Sequence, residues 1–311
     1  MRKSLVALGA IVTGTIVTGA WFAVPAGARQ QNRGAEIRVQ TDLVNILASV
    51  TDANGRPIPD LTQDAFQLSE EGAPQTIVRF EAQTNRPLDL ALMVDASMST
   101  FKDMKFETDA AAHFIRQIVR PTDTLGVFEF SETVTRLSDF SSDVPALQAA
   151  ARRIAPGAGT SIYDAIVLGS NALKRRPEGR RRAIVLVTDA GETTSYSKFD
   201  ETRRAAIASG ALLYTIVIRP VKNESGRNTA GEHALITITD STGGAMFILD
   251  EMNQLDAMFD RIDRELRTQY LLGYYPRPVP PPGSDRHVQV DVTGGYTVRY
   301  RKEYFTPAAP Q

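Results

Sequence analysis

The chain has 311 residues, with 35 basic and 36 acidic side chains for a formal charge of −1, and 42% of it is hydrophobic. That balance excludes a disordered chain and carries no basic excess of the kind that marks nucleic-acid binders, and the length suits one substantial core plus a smaller module. No cysteine is present, which excludes a disulfide framework and a lipid-bearing cysteine, so packing must supply the stability.

The chain opens with Met1-Arg2-Lys3-Ser4, an apolar run over 5–24, and Pro25-Ala26-Gly27-Ala28. A basic start, an apolar stretch and a small-x-small end predict a signal peptide over 1–28 and export to the periplasm, cell surface or medium. Kept uncleaved, a run of this length could span a bilayer, and membrane contact is expected only in that case.

Residues 36–84 read as a β segment, with strands over 43–51, 66–69 and 76–80 and a tight turn at Asn54-Gly55. From residue 85 the pattern alternates. A continuous apolar run over 88–94 predicts a central strand buried on both faces. A helix over 101–119 follows, then two strands over 124–130 and 134–140 joined as a hairpin. Beyond them come helices over 144–154 and 162–174, a strand over 183–187 and a helix over 199–209. A strand over 212–218, a helix over 233–239, a strand over 245–248 and a helix over 252–267 complete the region. This alternation over 85–268 predicts a doubly wound, mostly parallel α/β sheet with right-handed crossovers. Residues 269–306 return to strands, over 270–275, 287–292 and 296–301, with a proline-rich loop over 276–282. Strand text on both sides of the α/β region predicts that the two ends pair as a β-sandwich.

Three loops of the α/β region carry oxygen donors: Asp95-Ala-Ser97-Met-Ser99 after the first strand, Thr160 in Gly-Ala-Gly-Thr-Ser, and Asp189 in Val-Thr-Asp-Ala-Gly. Two carboxylates and three hydroxyls suit a hard divalent cation, magnesium first, with manganese or calcium as alternatives. Ligands of an open α/β sheet collect outside the carboxyl ends of the strands where the winding reverses, which is where Asp95 and Asp189 are expected. Gly157 and Gly159 allow close turns that aim the Thr160 hydroxyl.

The order of these pieces, with Tyr163-Asp164-Ala165 after the threonine, resembles the von Willebrand factor type A domain and its metal-ion-dependent adhesion site. The resemblance spans about residues 85–268 and fills all five family positions: Asp95, Ser97, Ser99, Thr160 and Asp189. It implies a Rossmann-like fold and a non-catalytic, protein-binding role, in which a bound cation takes a carboxylate from a partner protein. Ala190 departs from the family, which commonly has glycine there, and this touches loop shape rather than ligation. The stretches Val50-Thr-Asp-Ala-Asn-Gly-Arg-Pro-Ile58, Leu61-Thr-Gln-Asp-Ala-Phe66 and Glu70-Glu-Gly-Ala-Pro-Gln75 resemble the segment preceding such a domain in a family of secreted bacterial proteins, the VWFA-related Acidobacterial domain family.

Other readings stand beside this one. Asp95 and Asp189 are also expected as plain strand-end acids, with the serines capping the next helix. A magnesium-dependent hydrolase or phosphoryl-transfer enzyme would use an aspartate after a strand in the same way, but no G-x-x-x-x-G-K-[ST] loop, second acid in place of Ser97, or Gly-x-Ser-x-Gly occurs. A structural envelope protein with a stabilising metal is the third. His113, His233 and His287 stand isolated in the sequence, against a zinc site. The basic run over 174–182 reads first as a solvated helix end and loop, and otherwise as a surface for an acidic partner or phospholipid head groups. Glu192, Thr193 and Thr194 read equally as a rim beside the site or as a polar loop, and Asp164 as a structural hydrogen-bonding residue.

Overall fold

A computed structural model describes residues 43–82, 86–97, 104–219 and 228–308. The export segment and Ser99 lie outside the described residues.

Before the α/β region come β1 (Val44–Thr51), β2 (Phe66–Glu70), the short β3 (Ala73–Pro74) and β4 (Ile77–Glu81). The α/β region runs β5 (Leu88–Asp95), α1 (Met104–Ile118), β6 (Thr124–Phe130), β7 (Val134–Arg136), α2 (Val144–Ala151), α3 (Ile162–Lys174) and β8 (Arg181–Thr188). It continues through α4 (Phe199–Ser209), β9 (Leu212–Ile218), α5 (Thr229–Thr242), β10 (Ala245–Leu249) and α6 (Leu255–Arg267). Last come β11 (Tyr270–Tyr274), β12 (Asp285–Val292), β13 (Thr297–Tyr300) and β14 (Glu303–Phe305).

The fold class is the expected one, a six-stranded sheet ordered β10-β9-β8-β5-β6-β7 that is parallel except for β7. Alternate residues of its central strands serve opposite faces. Leu90, Leu92, Val94, Val185 and Val187 pack with Phe114 of α1, Leu147 of α2 and Phe259 of α6. Ala91, Met93, Ile184 and Leu186 pack with Ile166 of α3, Ala206 of α4 and Leu235 of α5. Burial on both faces explains why these strands are unbroken apolar runs. Leu255, Phe259, Ile262 and Leu266 form the buried stripe of α6 at helical spacing, and the Phe259 ring stacks on Phe114 with centroids 4.4 Å apart.

Two local differences have physical causes. The strand expected over 134–140 ends at Arg136, because Leu137 and Ser138 both donate their backbone N–H to the Val127 carbonyl, which breaks the ladder. The helix expected over 233–239 is α5, twice as long. Asn228 caps its start by accepting the Gly231 N–H at 2.9 Å, and Gly243 at φ 82° ends it.

The flanking strands form two antiparallel sheets, β13-β1-β11-β4 and β14-β12-β2-β3, which share one apolar cluster. Ile46, Ala48, Leu272 and Tyr270 from the first sheet meet Phe66, Leu68, Val288 and Val290 from the second. β11, which follows α6, lies between β1 and β4, with Leu272 opposite both Ile46 and Phe80. The chain therefore leaves this module at β4 and re-enters it on the neighbouring strand, an arrangement that accommodates an inserted α/β region with little loop-closure cost.

Candidate metal centre

From β5 the chain winds outward through β6 and β7, then returns to the other side of β5 to build β8, β9 and β10. The reversal opens at the carboxyl ends of β5 and β8, where Asp95 and Asp189 stand. The Asp95 loop is held from both sides: the Ala96 N–H donates to the Phe130 carbonyl at 2.8 Å, and the Gly157 N–H donates to the Ala96 carbonyl at 2.7 Å. Ser97 forms a parallel bridge with Gly157, so the loop carrying Thr160 runs directly beside that carrying Asp95.

The Thr160 loop is fastened in turn to the β6–β7 turn. The Glu132 N–H donates to the Ala158 carbonyl at 2.6 Å, and the Ser161 N–H donates to the Ser131 carbonyl at 2.7 Å. Gly159 sits at φ 70°, a left-handed conformation that a side chain resists, and a Cβ at Gly157 would collide with Ser131 Oγ. Both glycines are required by the turn. The Asp189 loop closes the set, since the Thr193 N–H donates to the Thr160 carbonyl at 2.9 Å and the Thr160 N–H donates to Thr193 Oγ1 at 2.9 Å.

Asp95 and Thr160 are buried, whereas Asp189 is partly exposed. Asp95 Oδ1 accepts the Ser97 N–H at 2.9 Å and Oδ2 accepts the Thr188 hydroxyl at 2.6 Å. Burial pushes the Asp95 carboxyl up to about 6, the nearby Asp189 charge pushes the same way, and the bonds from Thr188 and Ser97 oppose the rise. Asp189 Oδ1 accepts the Gly191 N–H at 3.0 Å. Among the described residues no three or more His, Cys, Asp or Glu side chains form a group that could hold a metal ion, so the candidate donors at this locus are two carboxylates and hydroxyls.

Thr188, which orients Asp95, escaped the sequence reading. It shares a strand face with Ile184 and Leu186, and the pairing of Val94 with Val187 carries it to Asp95. Alternation along β8 gives its face, but register alone gives its partner. Glu192 is no free rim acid: its carboxylate accepts the Tyr163 N–H at 3.1 Å and bonds Ser195, which caps the start of α3. Asp164 accepts the Tyr196 and Ser197 N–H groups at 2.9 Å each and so fixes the loop beyond Asp189. Tyr196 stands 89% exposed on that loop. Ala190, where glycine was the family expectation, has φ 66° and is fully buried, so the loop adopts the left-handed turn without glycine.

Residues 90–192 match the profile of the von Willebrand factor type A domain. A solved von Willebrand factor type A structure from Catenulispora acidiphila is similar over 86% of this chain and 74% of its own, with 12% identity and a TM-score of 0.50. The conserved hypothetical protein BatB from Bacteroides thetaiotaomicron aligns with 58% of this chain and 100% of its own, at 17% identity and a TM-score of 0.46. The vWF domain of the type V pili tip protein Mfa5 from Porphyromonas gingivalis aligns with 58% of this chain and 95% of its own, at 13% identity and a TM-score of 0.45. No curated protein matches the chain. The matched segment and the shared fold support a von Willebrand factor type A domain within this chain. No helix among the described residues is long and apolar enough to cross a membrane.

Proposed function

We propose that the chain is an exported, non-catalytic protein-binding module that captures an acidic group of a partner protein through a divalent cation. Asp95, Ser97, Ser99, Thr160 and Asp189 would hold the cation, magnesium first. The observation that carries the reading is the fastening of the Asp95, Thr160 and Asp189 loops to one another where the winding reverses. Such a rigid locus of hydroxyls and two carboxylates fits a hard cation, which prefers oxygen donors. When bound, the cation supplies positive charge for an external carboxylate. The residues do the rest: Thr188 and the Ser97 N–H orient the Asp95 carboxylate, and the Thr193 hydroxyl and Thr160 backbone hold their two loops in register. Tyr196, anchored through Asp164, offers the partner an exposed aromatic surface.

The test is thermal unfolding with and without magnesium. Saturating cation at ~100 Kd stabilises a single-site protein by about 2.7 kcal/mol. That gain is expected for the native chain and is expected to vanish in Asp95→Asn, which preserves the shape of the buried side chain. Capture of exported proteins should depend on magnesium and disappear with chelator. Equal magnesium stabilisation in both proteins, or chelator-insensitive capture, would rule the reading out.

A further inference from the structure

The basic run over 174–182 is not uniformly solvated: Arg181 is buried, and Arg180 is largely covered. At the amino ends of β8 and β9 a cavity of about 170 Å³ is lined by Arg86, Arg180, Arg181, Arg182 and Arg301. Among the described residues no carboxylate lines it. Arg181, in the lining, and Thr188 are the two ends of the eight-residue β8, so the cavity lies roughly 20 Å from Asp95, at the opposite end of the sheet.

The charges around the cavity do not balance. Arg86 pairs with Glu81 at 3.1 Å, and Arg180 pairs with Asp89 at 2.9 Å, an acid it shares with Arg176. Arg181 donates to the carbonyls of Arg86 and Leu266, and Arg182 donates to those of Ser209 and Arg176. Among the described residues, neither has an acidic partner within ion-pair distance, and Arg182 Nε is buried without a hydrogen bond. Arg301 has no hydrogen-bond or ion-pair partner among the described residues, although it is partly buried beside Gly210. Burial lowers the pKa of both Arg181, to about 10, and Arg301, yet a guanidinium stays charged at neutral pH. Arg181 and Arg182, neighbours on β8, reach to opposite faces of the sheet, and Asp123 acts on the first and Asp89 and Glu178 on the second from beyond contact distance. Even so, five arginines, with Arg301 lacking an acid, line one small space whose other walls include Leu47, Leu212 and Leu271. Apolar walls strengthen the field of those charges.

We propose that this cavity is a binding site for a tetrahedral dianion of the phosphate class, free or as the terminal group of a phosphomonoester. Guanidinium forks match phosphate oxygens in pairs, and a dianion offsets more of the excess charge than one carboxylate does. The volume holds about six waters, enough for a phosphate group with a small substituent.

Calorimetric titration of the purified chain with inorganic phosphate and, separately, with glycerol 3-phosphate tests this, against chloride at equal ionic strength. Saturable one-to-one binding is expected, at least about tenfold weaker in Arg301→Gln and unchanged in Asp95→Asn. Gly179, also in the lining, has φ 79° and open space where a Cβ would stand. Gly179→Asp should therefore fold and weaken binding by its charge, whereas Gly179→Asn should bind like the native chain. Tighter phosphate binding identifies a free anion as the occupant, and tighter glycerol phosphate binding identifies an ester. Heats no larger than those of chloride, or native affinity in both Arg301→Gln and Gly179→Asp, would overturn the proposal.

Discussion

Asp164 carries out at one residue what the loop beyond Asp189 needs, and its chemistry sets a pH limit. Burial alone would raise its pKa, but the bonds from Ser197 and Tyr196 outweigh that and hold it below the usual carboxylate range. A carboxyl whose folded pKa is depressed contributes stability above its unfolded value near 3.8, and loses it as pH falls through the folded value. Protection of the Tyr196 and Ser197 amides, measured against the intrinsic exchange rate, should therefore be high near neutral pH and fall only below 3.8, ahead of global unfolding. Asp164→Asn should show fast exchange at both pH values. The same residue scale shows why part of the candidate site was legible. Asp95, Thr160 and Asp189 announce themselves by residue type and loop position, because oxygen donors after apolar strands are conspicuous. Thr188 and Glu192 do not, because their roles depend on which strand or helix start lies opposite.

Among the elements, the turn from α5 to β10 shows how packing overrides local text. A Cβ on Gly244 would overlap the Leu213 carbonyl, and one on Gly243 would meet the backbone of Tyr300. Backbone cannot retreat as a flexible side chain can, so Gly244→Ala is expected to cost about 3 kcal/mol or more, read as a lowered urea midpoint with an unchanged slope. The same packing lengthens α5 beyond its legible part. Threonines and serines are indifferent helix formers, yet Ser241 and Thr242, past the expected end, are buried: Ser241 donates to the Thr237 carbonyl at 2.7 Å and Thr242 accepts the Leu213 N–H at 2.9 Å. Their helical state is decided by the sheet beneath them. The long apolar strands and the stripe of α6 were readable because periodicity reports burial directly.

For the molecule as a whole, the seam between the inserted region and the flanking sheets rests on a buried polar set. Glu265 of α6 accepts the Tyr214 hydroxyl at 2.8 Å and pairs with Arg299 of β13 at 2.5 Å, while Gln269 reaches Ser49 of β1. Breaking a fully buried pair by removing one partner costs about 3–5 kcal/mol. Arg299 is a quarter exposed, so solvent screening puts Arg299→Ala at the low end, about 2–3 kcal/mol. Calorimetry should show a lower midpoint, and a split transition would mark the two modules coming apart. An unchanged midpoint would deny the seam its part in stability.

The amino-acid sequence by itself determined the alternation of strands and helices, the strand text at both ends and the oxygen-donor chemistry of the three loops. Each of these is local, written in periodicity, glycine placement and residue type. Tertiary structure decided that β11 lies between β1 and β4, that Thr188 orients Asp95, and that Arg301 joins the arginines over 180–182 around one cavity. Those are pairings between segments up to about 250 residues apart, as with Ala48 and Tyr300. Strand register and module docking select such partners through the summed burial of many side chains, and no short stretch of sequence contains that sum.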